Sequence, residues 1–239
     1  MTIKMSIANQ LSPTAIKPEL ILDEGAIVAL KAKIDCLVPS DAPIIPKVKL
    51  EIKYGTIFHP GARLFLLIPP DMTKSLKEQI SNDMETPEIT CIIGKHNLFH
   101  ETCTVFIDLG ASSSSSSYEI IGEYNEFEPK CRIQTGSIGS GNIFGSSSNV
   151  TCNTQNAILD GFVVAPRVQW TFHPSPDTTT STTTTTIELK DMVLFSLDHQ
   201  VKTRTYVNGK ERNKKTLEGR LPAMRHVLRR FHKLHEVAK

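Results

Sequence analysis

Histidine is the side chain in this protein best suited to metal or acid–base chemistry, and His59, His96 and His100 stand close enough in sequence to form a candidate set. Neutral imidazoles converging on one cation make a zinc-type site, and one well-placed imidazole makes a general base. Other residue types offer less. Ser112 to Ser117 is a low-complexity run with no partnered base, which suits a linker better than a nucleophile. The cysteines Cys36, Cys91, Cys103, Cys131 and Cys152 are odd in number and lack a CxxC pair, so reduced thiols are expected rather than a disulfide frame or zinc knuckle. GSIGSGNIFG from Gly136 fits neither a phosphate loop nor a dinucleotide fingerprint. The basic segment from Lys202 to Lys233 has few aromatics to stack on bases, so it is expected as a helix side facing solvent or an acidic partner, without nucleic acid.

A repeat must position any of these residues. Three phrases restart on an Ile-Gly pair: IGKHNLFHETCTV from Ile93, IGEYNEFEPKCRI from Ile121 and IGSGNIFGSSSNV from Ile138. They align three apolar columns at six-residue spacing: Ile93, Ile121 and Ile138; Phe99, Phe127 and Phe144; Val105, Ile133 and Val150. A period of six is not the 3.6 of a helix; it places one inward side chain per short strand, with a turn after it. Stacking such three-sided coils in parallel pairs each backbone with the next at about 4.8 Å. The glycine after each Ile relieves crowding at a corner. Asn97, Asn125 and Asn142 are expected at turns, where asparagine tolerates left-handed backbone angles, or stacked as an amide ladder.

The same register runs through Ile16, Leu22, Val28 and Ile34 and resumes at Ile52, Phe58 and Leu64. Residues 1–168 are therefore read as a β-solenoid of six coils, about 30 Å tall at that spacing, with loop insertions near 36–47, 69–88 and 110–118. Residues 169–216 are expected as a low-complexity linker and an irregular segment. Residues 217–239 are expected as an amphipathic helix with Pro222 in its first turn, docking through Leu221, Met224, Val227, Leu228, Phe231 and Leu234. No evident polar cap closes either end of the solenoid, so one end coil is expected to stack on a related partner.

With 239 residues, 39% apolar, the chain has length for one sizeable core. The net charge of +2 exerts no global pull toward nucleic acid. The first residues lack the apolar run of a signal peptide and no membrane span is present, so a cytoplasmic location is expected.

ELILDEGAIVALKAKI, GTIFHPGARLF, IIGKHNLFHETC, IIGEYNEFEPKCRIQ and ILDGFVVAP, followed by a linker and helix, resemble the hexapeptide-repeat left-handed β-helix proteins, and within them the dynactin subunit 6 group. The resemblance implies an all-β, left-handed parallel β-helix with a C-terminal α-helix. It also implies a non-catalytic, cofactor-free subunit of the dynactin pointed-end complex, cytoplasmic and cytoskeleton-associated. Its implied partners are the sister β-helical subunit 5, the pointed-end actin-related protein and a larger metal-binding subunit, with dynein and cargo adaptors reached indirectly.

Two enzyme branches of the superfamily are the alternative. The γ-type carbonic anhydrases hold a metal with three histidines on neighbouring coils. His100 directly follows the inward Phe99, as one such ligand would, but Lys95 occupies the position expected of a second and His96 lies one step beyond. A protonated lysine repels a dication. The acyltransferases use a histidine facing a groove between subunits, and no single histidine here stands out for that role. The expectation is corner histidines exposed to solvent, with no metal.

Overall fold

The computed structural model describes residues 12–79, 86–110, 117–152, 157–171, 192–197, 200–205 and 208–231. β1 (Thr14–Ile16) precedes the first coil, formed by β2 (Glu19–Leu22), β3 (Ile27–Val28) and β4 (Lys33–Val38). The second is β5 (Lys47–Ile52), β6 (Ile57–Phe58) and β7 (Arg63–Leu67), followed by helix α1 (Pro70–Gln79). The third is β8 (Glu88–Ile93), β9 (Leu98–Phe99) and β10 (Thr104–Asp108); the fourth is β11 (Ser117–Ile121), β12 (Glu126–Phe127) and β13 (Arg132–Thr135). The fifth is β14 (Ser137–Ile138), β15 (Ile143–Phe144) and β16 (Asn149–Thr151), and the sixth is β17 (Ala157–Ile158), β18 (Val163–Val164) and β19 (Gln169–Thr171). After them come β20 (Met192–Leu197), β21 (Gln200–Thr205) and helix α2 (Gly209–Phe231).

Corresponding strands stack into three sheets. Face A runs β1-β4-β7-β10-β13-β16-β19, face B runs β2-β5-β8-β11-β14-β17, and face C runs β3-β6-β9-β12-β15-β18-β20-β21. The coils pair in parallel, with Phe58, Phe99, Phe127 and Phe144 in one register and Val105, Ile133 and Val150 in another. The chain is thus a three-sided parallel β-helix of hexapeptide coils with a C-terminal α-helix, the fold class expected. All ten expected core residues, from Phe58 to Val150, are buried, Ile93, Ile121 and Ile138 among them. The phenylalanines stack ring on ring, with centroids 3.9, 4.4 and 5.2 Å apart from Phe58 to Phe144. These separations follow from strand spacing, which places identical side chains one above another.

The asparagines form the ladder that was one of two alternatives. Asn97 Oδ1 accepts both the backbone N–H and the Nδ2 of Asn125, each at 2.9 Å, and Asn125 Oδ1 accepts the same pair from Asn142. The ladder is closed at its ends by the Thr56 hydroxyl, 3.1 Å from Asn97 N, and by Phe162 N, which donates to Asn142 Oδ1. The asparagines are not the left-handed turn residues. That conformation falls one position earlier, at Gly55, His96, Tyr124, Gly141 and Gly161, because the turn must be completed before the carboxamide can point inward. Gly94, Gly122 and Gly139 form a second ladder in which a Cβ would lie 2.7 or 2.8 Å from the next coil's backbone. No side chain fits there.

All the insertions leave through one corner, between faces A and B. The other two corners are tight turns whose left-handed residues fix their length. The insertion boundaries move accordingly. Cys36 to Val38 belong to β4 and Lys47 to β5, so the first loop is residues 39–46. The second holds α1, whose Met72 and Leu76 pack on the core. Of the third, residues 111–116 lie outside the described residues and Ser117 begins β11.

Four further expectations are corrected. Ile16 does not continue the six-residue register: β1 pairs antiparallel with β4, and Pro18, which lacks a ladder donor, separates it from the first coil. The ends carry partial caps, β1 on face A and the β20–β21 hairpin on face C, with β21 exposed along its length. Residues 169–216 accordingly include three strands and the start of α2. The helix begins at Gly209, leaving Pro222 in its interior. Proline suits a first turn, but the upstream turns are held by Lys210 and Asn213, which bind the solenoid directly.

Replacing Asn125 by Ala strips partners from Asn142 N and Gly139 O in the interior, where each unsatisfied group costs about 1–3 kcal/mol. A loss of about 3 kcal/mol or more is expected in urea denaturation, with no change in the far-ultraviolet circular dichroism spectrum at room temperature.

Candidate functional site

The residue before each inward side chain of face C points outward, and the strand registers align Ile27, Ile57, Leu98, Glu126, Ile143 and Val163 in one column. Apolar residues cannot face water in a row without penalty. Helix α2 covers them, burying Leu217 and Leu221 against Ile27, Ile57 and Leu98, with Met224 partly buried beside them. Val227, Leu228 and Phe231 lie on α2 without described side chains, and Leu234 lies outside the described residues. Leu217 lies outside the expected docking set, which begins at Leu221 because Pro222 gives a local signal for a first helical turn, whereas the helix starts at Gly209. The apolar column beneath it was readable at six-residue spacing.

The helix descends from coil 6 to coil 2. Lys210 Nζ lies 2.9 Å from Asp160 Oδ2, Asn213 Nδ2 donates to Gly141 O at 2.6 Å, and Lys214 sits over the Tyr124 ring. Farther along, Arg220 reaches Glu126 and Arg225 covers the Tyr54 ring. From Lys210 to Arg225 a helix rises about 22 Å, matching four coil spacings of roughly 19 Å. Two cations of the helix, Lys210 and Arg220, thus find acidic partners on its own solenoid, and two, Lys214 and Arg225, find tyrosine rings.

Glu126 is the polar interruption of the apolar column, and it is 2% exposed. Arg220 Nη1 stands 2.7 Å from its Oε1 and 2.8 Å from its Oε2, while His100 Nε2 stands 3.0 Å from Oε1. The carboxylate therefore joins two coils to the helix, and the ring nitrogen of His100 is engaged by it.

The three candidate histidines sit at two corners. His59 and His100 follow Phe58 and Phe99 at the corner between faces C and A, with ring centroids 5.3 Å apart. His96 precedes β9 at the corner between faces B and C, between Tyr54 and Tyr124 at centroid distances of 5.3 and 4.9 Å. Among the described residues no group of three or more His, Cys, Asp or Glu is placed to hold a metal ion. Nor are the corner histidines exposed: His59 is buried and His100 nearly so, because identical corners stack coil upon coil and α2 closes over Glu126. His96 Nδ1 and Arg225 Nη2 both crowd Gly55, where a methyl group would collide with them. Burial, then the charge of Arg225 and more weakly of Lys95, lowers the His96 pKa against the opposing pull of Glu123 and Glu218.

All five cysteines are free and buried. Burial pushes the thiols of Cys36 and Cys91 up to about 12 and that of Cys152 to about 11, and a hydrogen bond with Cys103 raises Cys131. They are packing thiols, since the reactive species is the thiolate.

These features define a hexapeptide-repeat β-helix protein with a strapped-down helix. No family model matches the chain, and no curated protein matches it. Among solved structures it is similar to the UDP-N-acetylglucosamine O-acyltransferase LpxA of Moraxella catarrhalis, at 14% identity over 89% of this chain and 86% of that one, with a TM-score of 0.33. It is also similar to LpxA of Acinetobacter baumannii, at 14% identity over 86% and 81%, with a TM-score of 0.28. Neither likeness assigns an activity.

Arg220→Ala leaves Glu126 charged and buried, and about 1–3 kcal/mol of stability should be lost after allowing for the exposure of the arginine. Proteolysis should then cut within α2, and Glu126→Leu on the same chain should restore protection by completing the apolar column. Because neutral His96 is favoured in the fold, the unfolded chain takes up its proton first, near the ordinary value of about 6.5. Stability is full above that pH and is lost as pH falls through the lowered folded value. In His96→Asn, which suits left-handed angles, this segment of the pH–stability curve should flatten.

Proposed function

We propose that the chain is a non-catalytic structural subunit of the dynactin pointed-end complex, a strut supporting dynein-driven microtubule transport and cargo-adaptor attachment. The observation that carries this reading is the C-terminal helix laid along the solenoid from coil 6 to coil 2. It accompanies the order of hexapeptide blocks on which the resemblance rests. The engagement of His100 by Glu126, and the wedging of His96 beside Arg225, support a packing role for these imidazoles. On this reading the partners are the sister β-helical subunit 5, the pointed-end actin-related protein and the larger metal-binding subunit, in the cytoplasm and on the cytoskeleton. Among the described residues β2 and β3 end their sheets at coil 1, and β17 and β19 end theirs at coil 6. Such edges are suited to stacking of a related coil.

The test is affinity purification of the full chain from native lysate, with identification of partners and metal analysis of the same preparation. Co-purification of the pointed-end subunits is expected. A stable monomer that never joins them contradicts the proposal. One zinc, iron or cobalt per chain, with carbon dioxide hydration lost in His100→Ala, would replace it with the enzyme alternative.

A further inference from the structure

The three faces of the prism differ in how their outward charges are met. Face C is covered by α2. Face B carries a self-neutralising lattice, with Lys47 3.1 Å from Glu19, Lys49 2.7 Å from Glu88 and Lys53 2.7 Å from Glu51. Face A does not balance in this way. In register across coils 1 to 4 it presents Lys33, Arg63, Thr104 and Arg132, and beside them Asp35, Phe65, Phe106 and Gln134. Asp35 is buried between Lys17 and Lys33, and Asp108 is turned onto the N–H of Gly110. Arg63 and Arg132 are exposed, and among the described residues neither has a carboxylate within ion-pair distance.

The aromatic pair sharpens the chemistry. Phe65 and Phe106 stack at 5.0 Å and 18°, Lys33 Nζ lies 5.5 Å over the first ring, and Arg132 Cζ lies 4.8 Å over the second. Cation, ring, ring and cation thus form one continuous stack across four coils. Both ring faces are occupied, so a nucleic-acid base has no free platform on which to stack. What remains is the ring edges, the positive pole of the aromatic quadrupole, flanked by guanidinium groups suited to carboxylates. We propose that face A, from coil 1 to coil 4, is a docking surface for an acidic extended segment of a partner protein. The cations are one and two coils apart, about 4.8 and 9.6 Å, and an extended peptide repeats its side chains on one side every 6.8 Å or so. Long arginine side chains span that difference, so about five residues of such a segment cover the site. This surface stands independently of the dynactin reading.

The test is fluorescence anisotropy on the full chain with a labelled 12-residue peptide of alternating Glu and Thr, beside the same peptide with Gln for Glu and a 12-nucleotide single-stranded DNA. The Glu peptide is expected to bind with a salt-sensitive affinity. R63E/R132E should weaken it at least tenfold and R132Q about three- to tenfold, whereas K77E, on exposed α1, should leave it unchanged; melting curves check that each variant folds. Absent binding, equal binding of the Gln peptide, an unaffected R63E/R132E variant, or tighter binding of the DNA would each overturn the proposal.

Discussion

Each coil must offer its neighbour a backbone edge at strand spacing, and at the corner between faces B and C a buried carboxamide holds that edge. The side-chain oxygen of Asn97 takes the place of a backbone carbonyl for Asn125, and Asn125 does the same for Asn142. The turn before each asparagine then has to close in the left-handed region, and the glycine before that turn has to let two backbones approach. His96 and Tyr124 adopt the left-handed conformation at a cost of about 1 kcal/mol each, and the stacking of the His96 ring on Tyr124, with Tyr54 packed against His96 edge to face, offsets it. Length variation is excluded from this corner and from the next, which leaves only the third to accept the proline-rich, helical and serine-rich insertions.

The docking of α2 depends on the same register. Only because every coil repeats at one spacing do Ile27, Ile57 and Leu98 form a straight apolar column that a helix can follow. Glu126 breaks the column at one coil and is met by Arg220 and His100. A buried ion pair of this kind contributes little net stability compared with an apolar side chain. Its consequence is positional: the helix can slide neither up nor down without exposing a charge.

The columns Ile93–Ile121–Ile138 and Phe99–Phe127–Phe144 were legible because their residue types recur at fixed spacing and nothing but an interior column requires that. The helix boundary was not, because Pro222 carries a strong local signal for a helix start while the anchors Lys210 and Asn213 act through residues fifty or more positions away. The strand β20 was equally hidden: MVLFSL has no repeat to set its register, and its pairing with β18 crosses the threonine-rich segment. The histidine set was partly legible. Counting from Phe99 separates His96 from His100, but their burial depends on stacking and on α2, neither of which local spacing encodes.

A solenoid held by such a ladder is rigid along its length, and hydrogen exchange measures that coil by coil. The backbone amides of Asn125, Asn142 and Phe162, all bonded to side-chain oxygens of the ladder, should exchange only through global unfolding, with free energies equal to the stability found by denaturation. Exchange of these amides at the rates of the exposed turns of α1 would contradict the account, because the ladder would then be opening while the rest of the protein remained folded.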